Sequence, residues 1–152
     1  ESVVRVLKEN HIKIGVETQG SKWQDWLYQI DELTISPKPP SSGMTTDFSM
    51  LSYIFEKLRE RNNNQHISLK IVVFNQEDYA YAKQVHLQFP SINFYLQVGN
   101  DDINSKDNSE LVKRLLENYQ RLIHKVMMDT ELKNVKVLPQ LHTLIWGNKR
   151  GV

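Results

Sequence analysis

The chain of 152 residues is 39% hydrophobic and 24% charged, carries a formal net charge of +1 and contains no cysteine. This length suits one domain around a single core, and the near-neutral charge leaves no electrostatic footprint for nucleic acid or an anionic membrane. Without cysteine these residues can build neither a disulfide, nor a thiolate nucleophile, nor a cysteine-ligated zinc site or cluster.

Residues 1–10 read as the second part of an amphipathic helix with no start signal, so a piece of a longer protein is expected. They carry no secretory pattern, and no apolar run approaches the ~20 residues of a spanning helix; the expected location is cytoplasmic. Ile12–Val16 is a short β-rich run ending at Glu17-Thr18-Gln19-Gly20. Over Lys22–Ile30 the residues Trp23, Trp26, Leu27 and Ile30 recur at helical spacing and predict a short helix. Leu33–Ile35 is the next strand. It runs into Ser36-Pro37-Lys38-Pro39-Pro40-Ser41-Ser42. Proline fixes its own φ and pushes the preceding residue toward extended backbone, so Ser36 and Lys38 are both held extended just past a strand. Two readings stand for this stretch. A fixed hydroxyl and ammonium can grip a polar ligand at low entropic cost. Equally, Pro37 and Pro40 form a P-x-x-P that can serve as a rigid linker or be displayed to an aromatic groove.

Phe48, Leu51, Ile54, Phe55 and Leu58 mark an amphipathic helix with Asp47 at its N-cap, and Arg61–Gln65 is a polar breaker. Ser68–Phe74 is a strand, and the helix after it starts near Glu77 and Asp78 and runs to about Gln88, before Pro90. Phe94–Val98 is a further strand, followed by Gly99-Asn100 and a polar stretch over Ile103–Asn108 that is expected to be mobile. Leu111, Leu115, Tyr119, Leu122, Ile123 and Val126 mark a longer helix; Val135–Leu138 is the last strand and Leu141–Trp146 a short helix before a basic tail. This βα alternation predicts an α/β fold with about five mostly parallel strands, either doubly wound or part of a barrel. The strands are short and expected to be mostly apolar on both faces, as a covered parallel sheet requires.

Polar residues of unusual kinds collect where the strands end: Glu17, Ser36-Pro37-Lys38, Asn75, Gln97-Val98-Gly99-Asn100 and Gln140 with His142. In parallel α/β folds this edge binds ligands. Plainer roles stand beside that one. Glu17 can cap a helix, Gly20 and Gly99 can supply a positive φ, Gln97 can be a buried amide bonded to backbone, and His142 can be a solvated histidine. The three tryptophans read as core or interface anchors. The five histidines show no metal-ligand spacing, and there is no G-x-G-x-x-G, P-loop or G-x-S-x-G motif. In the tail Gly147–Val152, the glycines and Trp146 suggest a compact turn rather than a frayed end.

Taken in order, Glu17-Thr18-Gln19-Gly20, Leu33–Ser42, Leu96-Gln97-Val98-Gly99-Asn100 and Leu138–Val152 resemble the 7-carboxy-7-deazaguanine synthases. These are radical S-adenosylmethionine enzymes of queuosine precursor synthesis. The resemblance covers essentially the whole chain and implies the C-terminal part of a single radical S-adenosylmethionine core domain over residues 1–152, within a partial (β/α) barrel. It implies conversion of 6-carboxy-5,6,7,8-tetrahydropterin to 7-carboxy-7-deazaguanine with loss of ammonia, by a homodimer that draws on a reductant such as flavodoxin. It also implies three cofactors: S-adenosylmethionine, a 4Fe-4S cluster and Mg²⁺. By position, Glu17, Ser36, Pro37, Lys38, Gln97, Val98, Gly99 and Asn100 are implied as S-adenosylmethionine contacts. Gln140, His142 and the Val152 carboxylate are implied as substrate contacts. The family's cluster cysteines, its magnesium threonine and a glycine-rich strand lie upstream of the matching region. This chain alone is therefore expected to be inactive, and the alternative is a cluster-free α/β module that binds an adenosine-like or pterin-like ligand.

Overall fold

The computed structural model describes residues 2–60, 66–149 and 151. The expected breaker at 61–65 and the expected ligand group of Val152 lie outside the described residues. Helix α1 (Ser2–Glu9) leads into β1 (Gly15–Thr18), a single 3₁₀ segment (Asp25–Gln29) and β2 (Glu32–Ile35). The proline loop closes with a 3₁₀ turn at Pro40–Ser42. Then follow α2 (Phe48–Glu60), β3 (His66–Val73), α3 (Gln76–Gln88), β4 (Asn93–Val98), α4 (Asn108–Met128), β5 (Lys136–Leu138) and α5 (Leu141–Trp146).

The caps explain where the helices begin. The Asp47 carboxylate accepts from the backbone N–H of Ser49 (2.9 Å) and Met50 (3.1 Å) ahead of α2. Asn75 accepts from the N–H of Asp78 (2.9 Å) ahead of α3. Asp107 accepts from Ser109 (2.9 Å) and Glu110 (3.1 Å) ahead of α4. The stretch 22–30, expected to be a short helix, forms a 3₁₀ segment over Asp25–Gln29. Its tryptophans half-bury against the core instead of completing a helical face.

All five strands are parallel and their spatial order is their chain order, β1-β2-β3-β4-β5. A doubly wound sheet reverses strand order at its centre; the described strands do not. Register sorts the strand residues onto two faces. Leu33, Ile35, Leu69, Ile71, Val73, Phe94, Leu96 and Val98 lie on one, and all are buried. They join Leu51, Ile54 and Phe55 of α2, Tyr79, Ala82 and Val85 of α3, and Leu122 and Val126 of α4 in one core. The other face carries Glu17, Thr34, Ser68, Lys70, Tyr95, Gln97 and Lys136, all half-buried or exposed. The expectation of a sheet apolar on both faces is therefore wrong. Burial alternates along β2, β4 and the later part of β3, but Val72 and Leu138 on the polar face and the apolar partners in each run hide it in so short a window.

Candidate functional site

The polar face of the sheet forms an open groove of about 400 Å³, lined among others by Glu17, Thr34, Ser68, Lys70, Tyr95 and Leu138. Strand register places these groups side by side, since Glu17 pairs with Thr34, Thr34 with Ser68, and Lys70 with Tyr95. The Lys70 ammonium reaches across two strands to the Glu17 carboxylate at 2.7 Å, and Thr34 and Ser68 hydroxyls lie 3.0 Å apart. Lys70 is mostly shielded while Glu17 is half exposed, so the pair is a partly wetted ion pair whose acid remains open to a ligand. Glu17 caps no helix.

At the carboxyl end of β2 the chain is held tightly. Ser36 donates its backbone N–H to the Thr18 carbonyl (2.7 Å), extending the β1–β2 ladder by one residue. Ser36, Pro37 and Pro39 are buried, whereas Lys38 and Pro40 are exposed. Extended backbone thus buries alternate residues and presents the lysine. A P-x-x-P with two of its four residues packed inward is not displayed to a partner's groove, which counts against the interaction-module reading. Lys38 borders a notch of about 80 Å³ with Gln19, Gly20, Ser21 and Thr46. Its carbonyl accepts from the Thr46 hydroxyl (3.3 Å), which in turn meets the Tyr81 hydroxyl at 2.5 Å. Burial pushes the Tyr81 hydroxyl above its ordinary range, keeping it a donor. Gly20, in the same notch, takes φ +73°, and a side chain there would run into Ile35 and Leu51.

Asp78 fastens this loop to the next strand. It has no exposed surface, and its two carboxylate oxygens accept from the Ser41 N–H (3.0 Å) and the Phe74 N–H (2.9 Å). In the sequence Asp78 reads only as a residue suited to a helix start. A carboxylate at that position serves the helix equally whether or not it also reaches a loop 37 residues earlier, so local pattern carries no trace of the second role.

At the end of β4, Gln97 donates to the Pro139 carbonyl at 3.1 Å, which ties β4 to the end of β5. Gly99 does not take a positive φ. Its missing Cβ is explained from the helix side, where the Phe74 ring fills the space a side chain would need. Val98, Gly99 and Phe74 border a second hollow of about 280 Å³ that also reaches Arg121 and Lys125. Asn100 is buried, donates to the Asn148 amide oxygen (2.7 Å) and accepts from the Asp102 N–H (3.0 Å). Just beyond it, Asp102 pairs with Arg114 of α4, and that guanidinium lowers the Asp102 carboxyl below its usual range. Gln140 caps the N-terminus of α5 through its carbonyl (3.1 Å to the Thr143 N–H), while its side-chain oxygen is buried and without a partner. His142 is exposed, with Nε2 3.1 Å from the Thr143 hydroxyl.

The described strand-end residues singled out in the sequence therefore share the carboxyl edge of one sheet, spread from β1 to β5. Glu17 faces the groove, Lys38 the small notch, and Val98 with Gly99 the hollow beside α3 and α4. Sequence reasoning missed Lys70, Asp78 and Asn148. Only Lys70 left a signal, as a lysine at an alternating position inside the strongest strand. Among the described residues no group of three His, Asp or Glu could hold a metal ion.

No family model matches the chain. It is 53% identical over all 152 residues to a curated protein of Bacillus subtilis and 54% identical over all 152 to one of Bacillus cereus, each named 7-carboxy-7-deazaguanine synthase. The chain spans 63% and 62% of the length of these two relatives.

Proposed function

We infer that this chain carries the later part of a 7-carboxy-7-deazaguanine synthase, which converts 6-carboxy-5,6,7,8-tetrahydropterin to 7-carboxy-7-deazaguanine with loss of ammonia. The product feeds the synthesis of queuosine, a tRNA modification, and of other 7-deazapurines. The observation that carries the inference is identity above one half, taken over the whole chain, to two curated synthases. The sequential parallel strand order supports it, because that is the order of a barrel segment. In this reading the polar sheet face is the inner wall of a partial barrel of radical S-adenosylmethionine type, and the carboxyl strand ends surround the reacting molecules.

S-adenosylmethionine, when bound, supplies the hydrogen-abstraction chemistry of such enzymes. The residues here fit that ligand. Lys38, exposed on a rigid extended loop, offers its ammonium to a carboxylate through a charge-assisted bond. Ser36 and Pro37, buried, would fix the position of that loop, the Gln97–Asn100 segment would approach the ligand from the end of β4, and Glu17 offers an acceptor from the groove. Gln140 keeps a buried oxygen free, and a heterocycle's N–H is the donor that would satisfy it. Together with His142 and Val152 it would orient the pterin and exclude water from it. The cluster and Mg²⁺ do not fit these residues, since cysteine is absent and no metal-ligand group occurs among the described residues. Their ligands belong to other residues of the enzyme. A homodimer, and a reductant such as flavodoxin, complete the proposal. No helix among the described residues is long and apolar enough to cross a membrane.

The test is the full-length protein, reconstituted without oxygen, mixed with the pterin, S-adenosylmethionine and a reductant. Mass spectrometry should find 7-carboxy-7-deazaguanine. A fully loaded enzyme that consumes no pterin would overturn the assignment.

A further inference from the structure

The tail after α5 is fastened by one side chain. Asn148 donates from Nδ2 to the carbonyls of Asp102 (2.9 Å) and Ser105 (3.2 Å), and its Oδ1 accepts from Asn100 Nδ2 (2.7 Å). Both amide hydrogens and one lone pair are thus spent on the β4–α4 connection. The connection is itself braced. Asn100 accepts from the Asp102 N–H at 3.0 Å, and the Asp102 carboxylate pairs with Arg114 of α4. On the other side of Asn148, Gly147 adopts φ +61°, and a side chain there would run into Asn108 at the start of α4. Two independent devices therefore press the tail onto the same connection. One requires glycine and the other requires a carboxamide, because only a carboxamide donates twice and accepts at that reach.

We propose that Asn148 is a positioning residue. It locks the end of α5 to the end of β4, so that the strand end assigned to S-adenosylmethionine and the α5 segment that carries Gln140 and His142, assigned to the pterin, keep one fixed relation. This rests on the function proposed above. Oriented catalysis loses rate steeply with small misplacements of a bound reactant. A fastening between the two binding segments acts on that geometry without touching either molecule. Asn100 then has two duties, its backbone beside the cofactor and its side chain in the lock.

The experiment compares full-length Asn148→Ala with its parent, and with Asn148→Ser, which keeps one donor. Hydrogen exchange of the C-terminal peptide from residue 147 onward should rise roughly tenfold or more in Asn148→Ala, with Asn148→Ser in between. The pterin KM should rise by a similar factor, about tenfold, while the S-adenosylmethionine dissociation constant stays within about twofold. Unchanged exchange in the tail would overturn the lock. Faster exchange with an unchanged pterin KM would overturn the positioning role, leaving Asn148 a purely structural residue. If the parent enzyme turns over no pterin, the functional assignment falls, and the exchange measurement still decides the lock.

Discussion

Leu69 and Lys70 are neighbours in the chain, yet they belong to opposite faces of the sheet. Leu69 has no exposed surface and packs into the core beneath α2, α3 and α4. Lys70 stands in the open groove and bridges to Glu17. The helix-covered face obeys volume and hydrophobicity. The open face obeys charge and hydrogen bonding, and leaves polar groups only partly engaged. The contrast teaches that apolar packing and polar side-chain interactions have been separated onto the two sides of one five-stranded sheet.

The largest expected effect breaks the covered face. Leu69→Ala should cost about 2–5 kcal/mol in denaturant unfolding, since it removes a side chain without exposed surface. Ser68→Ala, one position away on the open face, should cost under about 1 kcal/mol. Equal losses at the two positions would erase the distinction between the faces. Next in size, Asp78→Ala should cost about 1–3 kcal/mol, because two N–H groups from different segments lose their acceptor. Its effect should concentrate in the proline loop, where hydrogen exchange at Ser41 should rise more than at β3 residues such as Ile71. A uniform rise would mean that Asp78 supports the fold generally and does not hold the loop.

A smaller effect concerns pH. His86 on α3 is 8% exposed, lies 5.0 Å from the Phe94 ring and keeps Nδ1 buried without a partner. Burial lowers its imidazole below the ordinary range. The folded protein therefore prefers the neutral ring. Its contribution is complete above the unfolded value of about 6.5 and is lost as pH falls from there toward the folded value. Stability curves should thus decline below about pH 6.5, and His86→Leu should flatten that part of the decline. An unchanged pH profile in the variant would assign the decline to other groups.

Much of the fold was legible in the chain. Apolar spacing located α2 and α4, which repeat their signal over several turns, acidic residues at the start and Pro90 beyond the end located α3, and the six-residue α5 was read as a short helix. The sheet was harder. Over β1 or β5, three or four residues cannot distinguish alternation from a continuous apolar run, and so the polar face went unrecognised. The placement of Lys38, Gln97 and Gln140 at the carboxyl strand ends was readable, and turns do not require those residue types. Asp78 and Asn148 were not, since each acts on backbone groups tens of residues away that sequence pattern does not expose. Gly99 was assigned to ligand approach from its motif alone; the Phe74 ring supplies a reason from within the fold.

The central claim is that the carboxyl edge of this sheet is a binding site presented by a rigid loop, separate from what stabilises the fold. It is tested most directly by titrating S-adenosylmethionine into full-length protein with Lys38→Ala, by calorimetry, beside the parent. The exposed Lys38 should be removable at a stability cost within about 0.5 kcal/mol. Affinity should fall by about tenfold or more, as for the loss of one charge-assisted bond. Equal affinity in a stably folded variant would contradict the claim.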